Sequence, residues 1–199
     1  AYGQRTDPTD RFYSIHLQQL KGLQTGQTYH YRIVAVDERG QVLMSEDRTI
    51  TPQVIPGAIY LYQKADGSPH QLTQGGKTYV LKEDLIVSGK AIDSLRDDIT
   101  IDLNGHTIIF GQGAQAAADV WGIDIRGGYN GATEINGQGS RVRVVNGTIM
   151  QGESPVMQTN TDPYLLNAIR ATGASHEIAG VNIIYHASQS WGIQMNHSI

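Results

Sequence analysis

Three stretches of this chain repeat one another, and that repeat restricts the fold more than any other feature of the sequence. Residues 99–109, 142–150 and 177–184 each read as a short β-rich run, a glycine and a second β-rich run. Their glycines, Gly105, Gly147 and Gly180, lie 42 and 33 residues apart. The difference in spacing falls in polar or glycine-rich stretches, which read as loop insertions. Each stretch is followed by another strand-like segment, at 121–126, 167–172 and 191–196. In these, Ile123, Ile169 and Ile193 correspond, as do Ile125, Ala171 and Met195. Stacking equivalent positions of successive units about 4.8 Å apart buries such apolar residues in columns. The pattern therefore predicts a solenoid in which every coil contributes several short strands.

The bend between the strands of a coil needs a residue that tolerates positive φ, and Asn104-Gly105 and Asn146-Gly147 supply it. The third unit has Ala179-Gly180 there, so an asparagine ladder is expected to stop before it. Asp102-Leu103-Asn104-Gly105-His106-Thr107-Ile108 and Val145-Asn146-Gly147-Thr148-Ile149 resemble the early coils of right-handed parallel β-helix proteins of the pectin lyase-like type. Tyr79 to Val87 is similar to the opening coil of such a protein, and the resemblance covers about 120 residues. It implies an all-β fold with a right-handed parallel β-helix over 79–199. It does not single out an activity, because that fold carries lyases, hydrolases, epimerases and adhesive shafts.

The first part of the chain reads differently. Phe12 to Leu17 alternates, Gly22 to Gln27 makes a turn, and Tyr29 to Val36 alternates again. Asp37-Glu38-Arg39-Gly40 is a hairpin signal, with Ser45 to Thr51 expected as the return strand. The run from Leu20 to Ala35 resembles the fibronectin type III family at the corner leading into its strand F. Leu23 matches the inward leucine, and Tyr29 the tyrosine that hydrogen-bonds back across the turn. The resemblance covers the last half of such a module, so residues 1–52 are expected to be a partial β-sandwich. Residues 53–78, with Pro52 and Pro56, are expected to be linker and β-helix opening. Both ends look like cuts from a longer protein.

A net charge of -4 without a basic cluster argues against nucleic acid as a partner. The chain has no cysteine, which removes disulfides, thiol nucleophiles and Cys-zinc sites. It has no run of about 18 apolar residues, so no membrane span is expected. The architecture suggests a secreted or cell-surface protein.

If Ile123, Ile169 and Ile193 face inward, alternation turns Asp124, Arg170 and Gln194 outward in one column, and Arg126, Thr172 and Asn196 in the next. In the β-helix enzymes that this chain resembles, sugar binds along such a strip, with carboxylates, basic residues or a calcium ion doing the chemistry. On this reading Asp124, Arg126 and Arg170 are the catalytic candidates. Asp124 serves as general base or metal ligand, and the arginines bind uronate carboxylate through a guanidinium fork. Gln194, Asn196 and Thr172 are substrate-binding candidates, joined by Tyr164 from a projecting loop over 152–166. The plainer alternative is a cross-coil ion pair between Asp124 and Arg170 on a solvated face.

Hydrolysis normally needs two carboxylates, and only one is visible on the strip, so an arginine-rich strip fits elimination slightly better. The seven histidines are scattered, with no metal site in view, and His106 suits a turn role. Trp121 and Trp191 are expected to pack at coil corners, with sugar stacking as the alternative. The glycine-rich stretches at 111–118 and 127–131 lack the context of a phosphate loop. The expected function is that of a carbohydrate-active β-helix, a lyase or hydrolase of an acidic polysaccharide, with calcium as the only cofactor the resemblance brings in. The alternative is a non-catalytic rod or adhesive shaft, able to self-assemble through its open β-helix ends.

Overall fold

The computed structural model describes residues 5, 20, 23, 24, 26–115, 120–125, 140–154, 166–185 and 191–196. The described residues form strands and turns with no α-helix, so none is long and apolar enough to cross a membrane. The chain divides into two compact units, Ala1–Pro56 and Gly57–Ile199.

The first unit holds β1 (Tyr29–Tyr31), β2 (Val34–Val36), β3 (Val42–Met44) and β4 (Arg48–Ile50). Both pairings are antiparallel, β1 with β4 and β2 with β3. The hairpin turn at 37–40 is closed by Asp37, whose Oδ1 accepts the backbone N–H groups of Arg39 (2.9 Å) and Gln41 (2.8 Å). The return strand differs from the sequence expectation: it starts at Val42 and is broken at Ser45. Ile33 N–H donates to Ser45 Oγ (2.9 Å), so a side chain replaces one rung of the ladder there. Gln24 N–H donates to Tyr29 Oη (2.8 Å), the bond across the turn that the sequence led us to expect. Ile33, Val34, Val36, Val42, Leu43 and Met44 are all exposed. The strand expected at Phe12–Leu17 lies outside the described residues.

The second unit is built from parallel strands: β5 (Ile59–Leu61), β6 (His70–Leu72), β7 (Thr78–Leu81), β8 (Leu85–Ile86), β9 (Ile92–Ser94), β10 (Thr100–Asp102), β11 (Thr107–Phe110), β12 (Val120–Ile125), β13 (Arg143–Gln151), β14 (Leu166–Thr172), β15 (Glu177–Ile184) and β16 (Trp191–Asn196). One sheet runs β5-β7-β10-β13-β11-β8 with β15 also on β13, and the other runs β16-β14-β12-β9-β6. Neither sheet closes on itself. Parallel stacking starts at Ile59, ahead of Tyr79, where the sequence pattern becomes regular.

Register places like residues in line. Ile59, Tyr79, Ile101, Val144 and Ile178 form one column, and Leu85, Ile108, Ile149 and Ile183 another. The other sheet contributes Ile92, Ile123, Ile169 and Ile193. Most of these side chains are fully buried and together make the core. Ile193 and Met195, expected to face inward, are 41% and 57% exposed, because β16 is an edge strand covered on one side only.

The bend between β10 and β11 shows how the repeat works. β10 and β11 are two strands, yet both pair with the single nine-residue β13. Asn104 and Gly105 both take positive φ (49° and 79°), whereas in β13 only Asn146 does (62°), and in β15 only Gly180 (63°). Gly147 pairs with Val181, so it is Asn146 and not Gly147 that stacks on Gly180. The glycine alignment read from the sequence is therefore off by one residue in the third unit. The polar ladder is held by Asn104 Nδ2 on the Leu81 carbonyl (3.0 Å) and Asn146 Nδ2 on Asp102 Oδ1 (3.2 Å).

A second column of left-handed residues, Gly76, Asp98, Arg141 and Ser175, turns the chain two residues before β7, β10, β13 and β15. Arg141 binds Asp98 through Nε (2.6 Å) and Nη2 (2.8 Å) at this corner.

Two predictions follow from these contacts. A Cβ on Gly147 would lie 2.4 Å from Leu103 Cβ and 2.7 Å from the His106 carbonyl oxygen. Gly147→Ala should lower stability by about 1–3 kcal/mol through overpacking. Gly180→Asn should cost less, about 1 kcal/mol or under, because a Cβ there meets only the Asn146 residue at 3.5 Å or more and asparagine pays the smallest penalty for this positive φ. Urea denaturation midpoints check both.

His70 is half-buried, with Nε2 on the Tyr62 carbonyl (2.9 Å), and burial holds its pKa below the usual value of about 6.5. With the folded value depressed, the unfolded chain takes up the proton first as pH falls. This contribution to stability is complete above about pH 6.5 and is lost as pH drops through the folded value. The melting temperature of wild type should therefore fall more between pH 7.5 and 5 than that of His70→Gln, followed by thermal melts across this range.

Candidate functional site

The β6, β9, β12, β14 and β16 strands bring five polar residues into one line: Gln71, Asp93, Asp124, Arg170 and Gln194. Their neighbours Ile92, Ile123 and Ile169 face the core, so alternation sends this line to the opposite face of the sheet. The sequence placed Asp124, Arg170 and Gln194 in one column, and the structure does too.

The surroundings of that column differ from the expected solvated strip. Asp124 is 0% exposed, Gln194 and Asp93 are buried, and Arg170 is half-buried. Lys90, just ahead of β9, lies against two of these groups. Its Nζ lies 2.7 Å from Asp93 Oδ1 and 3.5 Å from Asp124 Oδ2, so one ammonium bridges carboxylates on adjacent strands. The ion pair made by Asp124 is thus with Lys90, in a closed setting, and not a solvated pair with Arg170.

Trp121 joins the cluster because the strand skips a beat. Strict alternation would put Trp121 and Asp124 on opposite faces. However, a Cβ on Gly122 would meet Ile149 Cγ2 and the Ala168 carbonyl oxygen, both at 2.6 Å, so Gly122 and Ile123 both turn toward the core. Trp121 and Asp124 then share the outer face. The buried indole has Lys90 Nζ 5.3 Å and Arg170 Cζ 4.6 Å from its centroid. The indole is packed away from solvent, as expected, and it also contacts two cations. Two adjacent buried residues, Ala168 and Ile169, mark the same skip on β14, where the Ala168 N–H donates to Tyr185 Oη. Burial raises the pKa of that tyrosine. Asn167, level with Trp121, donates through Nδ2 to Gln194 Oε1 (2.9 Å).

The remaining candidates separate. Thr172 donates through Oγ1 to the Ile125 carbonyl (3.3 Å), so its hydroxyl ties neighbouring strands. Asn196 is in register with Thr172, as expected. Arg126 and Tyr164 lie outside the described residues. His106 takes the turn role, with Nδ1 3.3 Å from Asp84 Oδ1. Lys90, Asp93 and Gln71 were missed by sequence reasoning. The available signal was Ile92-Asp93, the same pair as Ile123-Asp124 on the adjacent strand.

Among the described residues no three acidic or histidine side chains come together to hold a metal, so the described donor set does not suit calcium. Where two carboxylates meet, the Lys90 ammonium supplies the positive charge.

No protein family, curated protein or solved structure matches this chain.

Removing the ammonium would leave two buried like charges on adjacent strands. Lys90→Met should lower stability by about 3–5 kcal/mol, the cost of breaking a buried pair from one side. The double variant Lys90→Met/Asp124→Asn should recover part of the loss, as read from denaturant unfolding of the four members of the cycle.

Proposed function

We propose that the second unit is the opening part of a right-handed parallel β-helix, and that the protein cleaves an acidic polysaccharide outside the cell. On this reading the first unit is a fibronectin type III-like spacer, a view supported by the Gln24 to Tyr29 bond. The observation that carries the functional reading is the line Gln71, Asp93, Asp124, Arg170, Gln194, with Lys90 and Trp121 beside it. A polymer lying across successive strands would meet a repeating series of polar groups on one face.

Asp93 answers the objection that a lone carboxylate cannot hydrolyse. Asp93 and Asp124 sit on neighbouring strands in register, where one can act as acid and the other as base or nucleophile. Elimination at a uronate would instead use Arg170 to neutralise the sugar carboxylate, one aspartate to take the proton next to that carboxylate, and the other aspartate, protonated, to protonate the departing glycosidic oxygen. In either case Lys90 must move from Asp124.

The burial of Asp124 favours a second reading, a non-catalytic rod in which the Lys90 cluster pins the coils together. The intact chain should be incubated with polygalacturonate, alginate and hyaluronan, following both new reducing ends and the absorbance of unsaturated products. Cleavage by wild type that is reduced at least about 100-fold in Asp93→Asn or Asp124→Asn supports the enzyme. Absence of both products with every polymer would sink it in favour of the rod.

A further inference from the structure

We propose that Trp121 is a positioning residue that holds Arg170 flat to receive a planar carboxylate, which makes the site selective for uronate over esterified or neutral sugar. This rests on the acidic-polysaccharide reading above. Lys90 and Arg170 both lie over the same indole, but they differ in everything else they touch. Lys90 is committed to Asp93 at 2.7 Å and Asp124 at 3.5 Å and is nearly buried. Arg170 is half-buried and, among the described residues, has no carboxylate partner; its contact is the Trp121 ring at 4.6 Å.

A guanidinium stacked on an indole uses its face for the ring and leaves its edge, where the N–H groups lie, for a ligand. That edge is a two-donor fork that fits a carboxylate and has no equivalent in an ammonium. The plate beneath it is fixed. Trp121 is buried, and its backbone is locked because Gly122 fits against Ile149 and Ala168 with no room for a side chain. Arg170 is level with Asp124 and Gln194 on either side, so its reach along the strand direction is also set. Among the described residues of this cluster, the cation free to meet a ligand anion is thus Arg170, and Trp121 sets the plane in which it does so.

The test is calorimetric binding of the intact chain to oligogalacturonate and to its methyl ester, read as the ratio of the two affinities. A general loss of fold lowers both affinities together, whereas loss of the fork changes their ratio. Arg170→Lys keeps the charge and should lower the ratio about tenfold, as should Trp121→Leu, while Trp121→Phe should restore most of it. An unchanged ratio in Arg170→Lys and Trp121→Leu overturns this inference and leaves the acidic-polysaccharide reading standing. Equal affinity of folded wild type for acid and ester, or binding to neither, also overturns this inference, while the acidic-polysaccharide reading falls only if none of the three polymers is cleaved.

Discussion

The in-register parallel ladder is the constraint on which the second unit depends. Each rung fixes which residue of one strand lies beside which residue of the next, and a slip of one position would turn every side chain to the other face. Ile92, Ile123, Ile169 and Ile193 therefore stand in one column, and Asp93, Asp124, Arg170 and Gln194 must stand in the next one out. The core and the polar line are two faces of a single register.

Register survives only if each repeat bends at the same place, and the backbone conformations show how this is met. Asp98, Arg141 and Ser175 adopt positive φ ahead of β10, β13 and β15, and Asn104, Asn146 and Gly180 do so farther along. Residues other than glycine pay a steric penalty there, smallest for asparagine and aspartate. Neighbouring repeats compensate through hydrogen bonds, as Asn146 does with Asp102 and Arg141 with Asp98. The bend of one repeat is thus held by side chains of the repeat before it.

Much of this was legible in the sequence, and the failures have physical reasons. The columns at Ile123 and Ile125 could be read because apolar residues recur at equivalent places. The shared face of Trp121 and Asp124 could not, because the skip is made at Gly122, which has no side chain to reveal its direction. Gly180 was aligned with Gly147 on residue type, whereas the ladder matches conformation and sets it beside Asn146. Lys90 and Asp93 escaped notice because β9 is only three residues long and lies outside the glycine repeat. Alternation also reveals which face a residue takes, but not whether that face is covered, and so the burial of Asp124 was missed.

That burial has an electrostatic logic. Two carboxylates on adjacent strands, about 4.8 Å apart, would repel by on the order of 3 kcal/mol at an effective dielectric of about 20. Lys90 offsets this by bridging them, and with Arg170 next in line the four charges sum to zero. The neutrality is uneven along the column: the negative pair and its ammonium occupy the β9 and β12 end, and the guanidinium the β14 end. That order, two aspartates and then an arginine, is set by the same ladder that sets the core.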